Sequence, residues 1–109
     1  MELFSKTLSD TLLFYVKGEI INSCAGEITK AVSPTVNSSA TVVAIDIREV
    51  PYIDSSGLAT LIDLHQRLRD AGKRLDICNP GEFVRQLFWD SGLEEIFNII
   101  ERSDLPKTV

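Results

Sequence analysis

Residues 41–61 read TVVAIDIREVPYIDSSGLATL. From Thr41 to Ile47 the chain is an almost unbroken apolar run with several β-branched side chains, the composition of a strand buried on both faces. Arg48 to Asp54 interrupts the run and reads as a connecting loop. From Ser55 or Ser56 the pattern turns helical: Leu58, Leu61, Ile62, His65 and Leu68 make one stripe down to about Asp70, and Ala71-Gly72 supplies the stop. A buried strand that feeds a helix through a short loop belongs to a mostly parallel sheet with helices packed on it.

The flanks repeat that alternation. On the N-terminal side, Glu2 to Leu8 is a weak strand, Ser9-Asp10 a turn, and Thr11 to Gly18 a second strand close enough to form a hairpin with the first. Between Asn22 and about Val36, Cys24, Ala25, Ile28, Ala31 and Val32 recur at helical spacing; Asn22 or Ser23 is the expected cap, and Pro34 should end or kink the helix. On the C-terminal side, Arg74 to Cys78 is a short strand and Asn79-Pro80-Gly81 a turn. Glu82 to Ser91 is a third helix with Phe83, Val84, Leu87 and Phe88 on one face, and Ile96 to Ile100 is a last strand. At helical spacing with Phe83 and Leu87, Trp89 is expected in or at the edge of the core rather than as a partner anchor. The tail from about residue 101 to Val109 is polar and is expected to be a helical stub or frayed. The order is therefore β-β-α-β-α-β-α-β, an α/β fold whose opening hairpin makes the sheet mixed.

Composition narrows the function. The 109 residues fit one compact domain, 1–109, with an ordinary 44% of apolar and 25% of charged residues. The net charge is −5, with no basic stripe, which argues against a nucleic-acid partner. No apolar run approaches the length of a membrane span, so membrane insertion is not expected, and the N-terminus lacks a signal-peptide pattern. The expected compartment is the cytoplasm. Cys24 and Cys78 are far apart, with neither a CxxC motif nor histidine company, so the reading is two reduced, small apolar side chains and no metal site. No cofactor is implied.

The chemistry concentrates at Asp54-Ser55-Ser56-Gly57, which puts two hydroxyls and unpaired backbone N–H groups at a helix N-terminus. Two readings of these residues stand side by side. Ser, Asp and Gly are common helix-start residues, so the motif can be a plain cap. The same end favours an anion, and a phosphate on Ser55 would carry about −1.5 to −2 charge beside the donors and beside Asp54. Gly57 allows close approach of backbone or phosphate. Asp46, at the strand end, either shapes the surroundings of the acceptor or bonds loop amides. A hydrolase is not supported: the pattern is not G-x-S-x-G, and the one histidine, His65, sits roughly 15 Å along the same helix and reads as a core-edge residue.

The segment Ile53-Asp54-Ser55-Ser56-Gly57-Leu58 resembles the I/M-D-S-S/T-G-L signature of the STAS domain family. Gly18-Glu19-Ile20 is similar to that family's GEL/GEI after the second strand, Val43 to Asp46 to its VVLDL strand, Gly72 to Arg74 to its turn before the fourth strand, and Phe83 to Gly92 to its third helix. The resemblance spans about Leu12 to Ile100. It implies a STAS fold, a four- to five-stranded mixed sheet with helices mainly on one face. It also implies an anti-sigma factor antagonist rather than an enzyme. Such a protein binds an anti-sigma factor that is itself a serine kinase, is released on phosphorylation at the position of Ser55, and is restored by a PP2C-like phosphatase. Asp54, Ser56, Gly57, Leu58, Asn22 and Asp46 are the residues expected around the phosphosite and partner, and the protein is expected to be a monomer or weak dimer. One position departs: where the family often has Asp after GEL, this chain has Ile21 followed by Asn22. That departure motivates a second function of another class, a constitutive STAS adaptor or scaffold subunit of a transporter or signalling assembly without phosphorylation control.

Overall fold

The computed structural model describes residues 1–102. Its sheet starts with β1 (Glu2–Leu8) and β2 (Thr11–Lys17), paired antiparallel with Leu8 opposite Thr11, so that Ser9 and Asp10 alone make the turn. Ser9 takes φ 56°, the positive value that a tight, right-twisting hairpin requires. The turn is tied to the start of the next strand: the Asp10 carbonyl accepts from Thr41 N at 2.9 Å, and its carboxylate accepts from Thr41 Oγ1 at 3.0 Å.

α1 (Asn22–Val32) returns the chain across the sheet and buries Ala25, Ile28 and Val32. It stops four residues short of the expected Val36, and a 3-10 turn over Ser33–Asn37 takes its place. Pro34 has no N–H and its ring crowds the preceding turn, so the α ladder cannot continue; Thr35 Oγ1 donates to Val32 O at 2.6 Å and fixes the tighter winding. β3 (Val42–Glu49) lies at the centre, parallel to β2 on one side and to β4 (Arg74–Cys78) on the other. It runs past the expected end at Ile47, where Gly18 N donates to Glu49 O at 3.0 Å.

α2 (Ser55–Asp70) connects β3 to β4. Its end is closed by Gly72, whose φ of 76° turns the chain so that Lys73 N reaches Leu68 O at 2.8 Å. α3 (Glu82–Asp90) leads through a 3-10 turn at Leu93–Glu95 to β5 (Asn98–Ile100), which pairs parallel with β4. The last strand is shorter than expected, because the amides of Ile96 and Phe97 are taken by Leu93 O. The spatial order is β1-β2-β3-β4-β5, with one antiparallel pair and three parallel ones. Of the polar tail expected after residue 101, Arg102 exchanges two bonds with the Asn79 side chain, and residues 103–109 lie outside the described residues.

Alternation along the strands separates two faces. Phe14, Val16, Val43, Ile45, Ile47, Leu75 and Ile77 point to one, where Ile28 and Val32 of α1, Leu61, Leu64 and Leu68 of α2, and Val84 and Phe88 of α3 close the main core. The three described helices therefore all lie on the same face. The opposite face holds Leu13, Ala44 and Cys78, with Leu8 and Ile100 against them. In its rows stand two buried carboxylates. Asp46 bonds the Arg48 guanidinium (2.9 and 2.6 Å) and the Arg48 amide (3.1 Å); Asp76 bonds Arg74 (2.8 and 3.1 Å) and Asn98 (2.6 Å).

α3 corrects two expectations. Phe83 and Trp89, expected with the core, are 60% and 66% exposed. Val84, Leu87 and Phe88 form the one stripe a nine-residue helix can turn to the sheet. Phe83 precedes that stripe and Trp89 follows it, each about 100° round the helix from its buried neighbour.

Candidate functional site

The site is built where β2 ends beside the loop that follows β3. Ile20 N donates to Tyr52 O at 3.0 Å, Asp54 N donates to Ile20 O at 3.1 Å, and Ile20 and Ile53 form an isolated parallel bridge. Both isoleucines are buried, so the two loops enter the core as one unit. α1 and α2 therefore start side by side, each directly after one of these segments.

Asp54 serves both starts. It is the N-cap of α2, with extended backbone, and its Oδ1 accepts from Gly57 N at 2.8 Å. Its Oδ2 accepts from Asn22 N at 2.9 Å. α1 has no side-chain cap of its own: Ile21 occupies the cap position, so the expected capping by Asn22 or Ser23 is corrected to capping by Asp54 from the neighbouring loop. The apolar side chain of Ile21 cannot accept an amide bond, and the carboxylate supplies what it lacks. A negative group between two helix N-termini is also where two macrodipoles favour it.

Ser55 is the first residue of α2 and is exposed. Its amide and that of Ser56 precede the helical ladder and have no acceptor within it. Ser56 Oγ donates to Asn22 Oδ1 at 3.3 Å, a second link between the helix starts. Gly57 is buried at the closest approach. A Cβ there would stand 2.6 Å from Ile20 O, 2.6 Å from Ile53 Cγ2 and 2.9 Å from Ile20 Cγ2, so only glycine lets α2 begin so near the bridge. Leu58 packs half-buried against the core. The structure thus brings together Asn22, Asp54, Ser55, Ser56, Gly57 and Leu58. Asp46 is fully buried on the face opposite the described helices, where it holds the Arg48 guanidinium and accepts from the Arg48 amide; of the two readings open for it, the bond to a backbone amide is the one observed.

His65 lies ten positions along α2, its ring edge-on to Phe97 with centroids 6.1 Å apart, and burial pushes its pKa down. Cys78 is fully buried, and burial, then the charges of Asp76 and Asp46, push its thiol up to about 12. Among the described residues no group of three metal-ligating side chains occurs, and no helix is long and apolar enough to cross a membrane. The arrangement presents the Ser55 hydroxyl on a rigid surface built from two helix starts.

Comparison with known proteins decides the family: the STAS domain profile matches residues 5–105. The chain belongs to the STAS domain family. Similar to this STAS domain is the anti-sigma-B factor antagonist of Listeria monocytogenes, 29% identical over 91 residues that cover 84% of this chain and 80% of that one. Among solved structures, SpoIIAA of Bacillus in its phosphorylated form superposes with a TM-score of 0.75 at 19% identity, covering 94% of this chain and 93% of the other. An anti-sigma factor antagonist from Mycobacterium paratuberculosis superposes at 0.83 with 21% identity, covering 94% and 87%. At those identities the superpositions show a shared fold.

Two features of the STAS domain's surface were not signalled by the sequence. One is the double role of Asp54, which depends on a contact between positions 32 residues apart. The other is an exposed pair of rings, Tyr52 and Phe83, with centroids 5.9 Å apart. Adjacent Pro51 and the Asn79-Pro80-Gly81 turn, both non-helical signals, were the available hints that two loops meet there.

Proposed function

We propose that this STAS domain is a cytoplasmic anti-sigma factor antagonist controlled at Ser55. With the hydroxyl free, it docks on an anti-sigma factor that is also a serine kinase. The kinase transfers the γ-phosphoryl group of ATP to Ser55 Oγ: a new O–P bond forms, the bond to ADP breaks, and the hydroxyl proton leaves to solvent or to a base of the kinase. The phosphorylated domain is released, and a PP2C-like phosphatase hydrolyses the ester to restore it. The domain itself is not an enzyme in this cycle.

The observation that carries the reading is the exposed Ser55 hydroxyl on the first residue of α2, beside a carboxylate that clamps the starts of two helices. A hydroxyl there is held by rigid elements and offered outward. A dianion added at that point places two further negative charges beside Asp54 on a docking surface, where desolvation and repulsion break a fitted contact. The antagonist names carried by similar proteins support the same reading.

The test is a paired capture from the native host's lysate with Ser55→Ala and Ser55→Asp proteins, the partner being identified by mass spectrometry. An ATP-binding kinase-type protein retained by Ser55→Ala and lost with Ser55→Asp is the expected result. Equal retention by both variants, or capture of transporter components only, would mean that Ser55 is merely the first residue of α2 and the domain a constitutive adaptor.

A further inference from the structure

Next to Ser55 lies a surface that the phosphorylation cycle does not use. The loop that carries Ser55 runs back through Ile53 to Tyr52 and Pro51, and there it borders a groove of about 410 Å³ between residues 48–51 and the start of α3. Val50 and Val84 are buried at its floor, and Pro51 and Phe83 stand at its walls. Tyr52, 39% exposed, leans on Phe83, 60% exposed, with the rings tilted by 44°. Single exposed apolar side chains are ordinary, but two aromatic rings in contact beside a concave apolar strip form a patch of the kind that marks an interaction site. Both are fixed: Phe83 is the second residue of α3, and Tyr52 O is bonded to Ile20 N. Tyr52 and Ser55 are three residues apart, so their Cα atoms are separated by at most about 11 Å and one partner footprint covers both.

The charges around the groove select its occupant. Glu49 and Glu82 are exposed on its two sides, and exposed Glu19 leaves β2 beside Tyr52. The cationic groups at the same rim are already engaged or outnumbered. The Arg48 guanidinium is held by buried Asp46, and Lys17 lies across the strand pair from Glu49. On the far side of α3, Arg85 is paired with Glu101. An acidic rim around an apolar floor disfavours a second copy of this chain, whose net charge is also −5, and it disfavours an anionic lipid surface.

We propose that the groove between residues 48–51 and the start of α3, with the Tyr52–Phe83 pair, is a second contact for the protein partner that reads Ser55, and that it receives an apolar side chain flanked by Lys or Arg on that partner. The inference rests on the partner-switching reading of Ser55. It adds that the Ser55 region and the groove are engaged together, the first as the switch and the second as the anchor. The anchor lies outside the group that the phosphate perturbs directly, and it supplies affinity and choice of partner.

The experiment uses the ATP-binding anti-sigma factor retained by the Ser55→Ala domain, purified, against the whole domain labelled with 15N. Amide shifts are expected at Glu49, Val50, Glu82 and Phe83 together with those around Ser55. Phe83→Ser changes an exposed side chain, so the fold stays intact, and it should weaken binding about tenfold or more through faster dissociation. Glu49→Lys with Glu82→Lys should slow association several-fold and flatten its salt dependence. Shifts confined to residues 20–24 and 54–58, with both variants binding as the parent does, would overturn the groove and leave the Ser55 reading intact. A domain that self-associates through Phe83 on a sizing column would overturn it in favour of a second copy. If no kinase-type partner is retained by Ser55→Ala, both readings fall together.

Discussion

Gly57 shows how a single residue sets the site. Its missing Cβ leaves the space in which Ile20 O and Ile53 Cγ2 stand, and all three atoms a Cβ would meet belong to the buried residues Ile20 and Ile53. Gly57→Ala must push α2 away from the bridge, and we expect a loss of about 1–3 kcal/mol in urea unfolding together with weaker partner binding. His65 makes a prediction of opposite character, about pH. Burial, and then the charge of Arg69, lower its pKa from the ordinary 6.5, so the folded state binds fewer protons than the unfolded one. Its contribution is therefore undiminished above that value and drains away as pH falls through 6.5 towards the lower folded-state value. Urea midpoints of the parent and of His65→Leu, compared from pH 7.5 to 5.5, should diverge on the acidic side, with the parent falling more steeply.

Among the elements, α1 and α2 begin at one carboxylate, and that couples them. In isolation the sequence Ile21-Asn22-Ser23 offers a poor helix start, since an apolar residue holds the cap position; the α1 N-terminus is completed only because α2 brings Asp54 to it. Asp54→Ala removes a cap from each helix at once. At about 0.5–2 kcal/mol for each cap, the expected loss is about 1–4 kcal/mol. Hydrogen exchange should quicken in the first turns of both helices, at Cys24 and Ala25 as well as at Leu58; acceleration in α2 alone would show that α1 does not depend on the link. α3 shows what a short amphipathic helix leaves undetermined. Over nine residues, Phe83, Val84, Leu87, Phe88 and Trp89 crowd more apolar side chains than one stripe accommodates. Periodicity cannot choose between neighbouring stripes when the helix makes fewer than three turns. Packing chose Val84, Leu87 and Phe88, and the residue left outside at the helix start became half of the aromatic pair.

At the scale of the molecule, the sheet separates a helix-covered face from one built on Leu13, Ala44, Cys78 and two carboxylate–arginine pairs. The two cysteines report on the integrity of that assembly. Cys24 is half-buried near the site, whereas Cys78 is fully buried with its thiol pushed up to about 12. At pH 8 iodoacetamide should add once to the folded protein, at Cys24, and twice in urea, as read by intact mass. Rapid double labelling without denaturant would mean that the β4 region opens on its own rather than with the whole fold.

The element order, and the helix start that forms the candidate site, were legible in the sequence because they rest on local signals: the apolar run at Thr41–Ile47, the stripe from Leu58 to Leu68, the breaks at Pro34, Gly72 and Asn79-Pro80-Gly81, and the serines placed directly after Asp54. These act within one or two turns of chain, where propensity and periodicity carry the information. The tertiary structure decided what depends on distant partners. It sent the Asp46 carboxylate to the face opposite the helices, because strand alternation pairs it with Arg48 two residues on. It made Asp54 the cap of a helix that begins 32 residues earlier, and it set Tyr52 against Phe83. The Asp54 link and the Tyr52–Phe83 pair have no sequence signature of their own, since each follows from which loops the sheet register brings side by side.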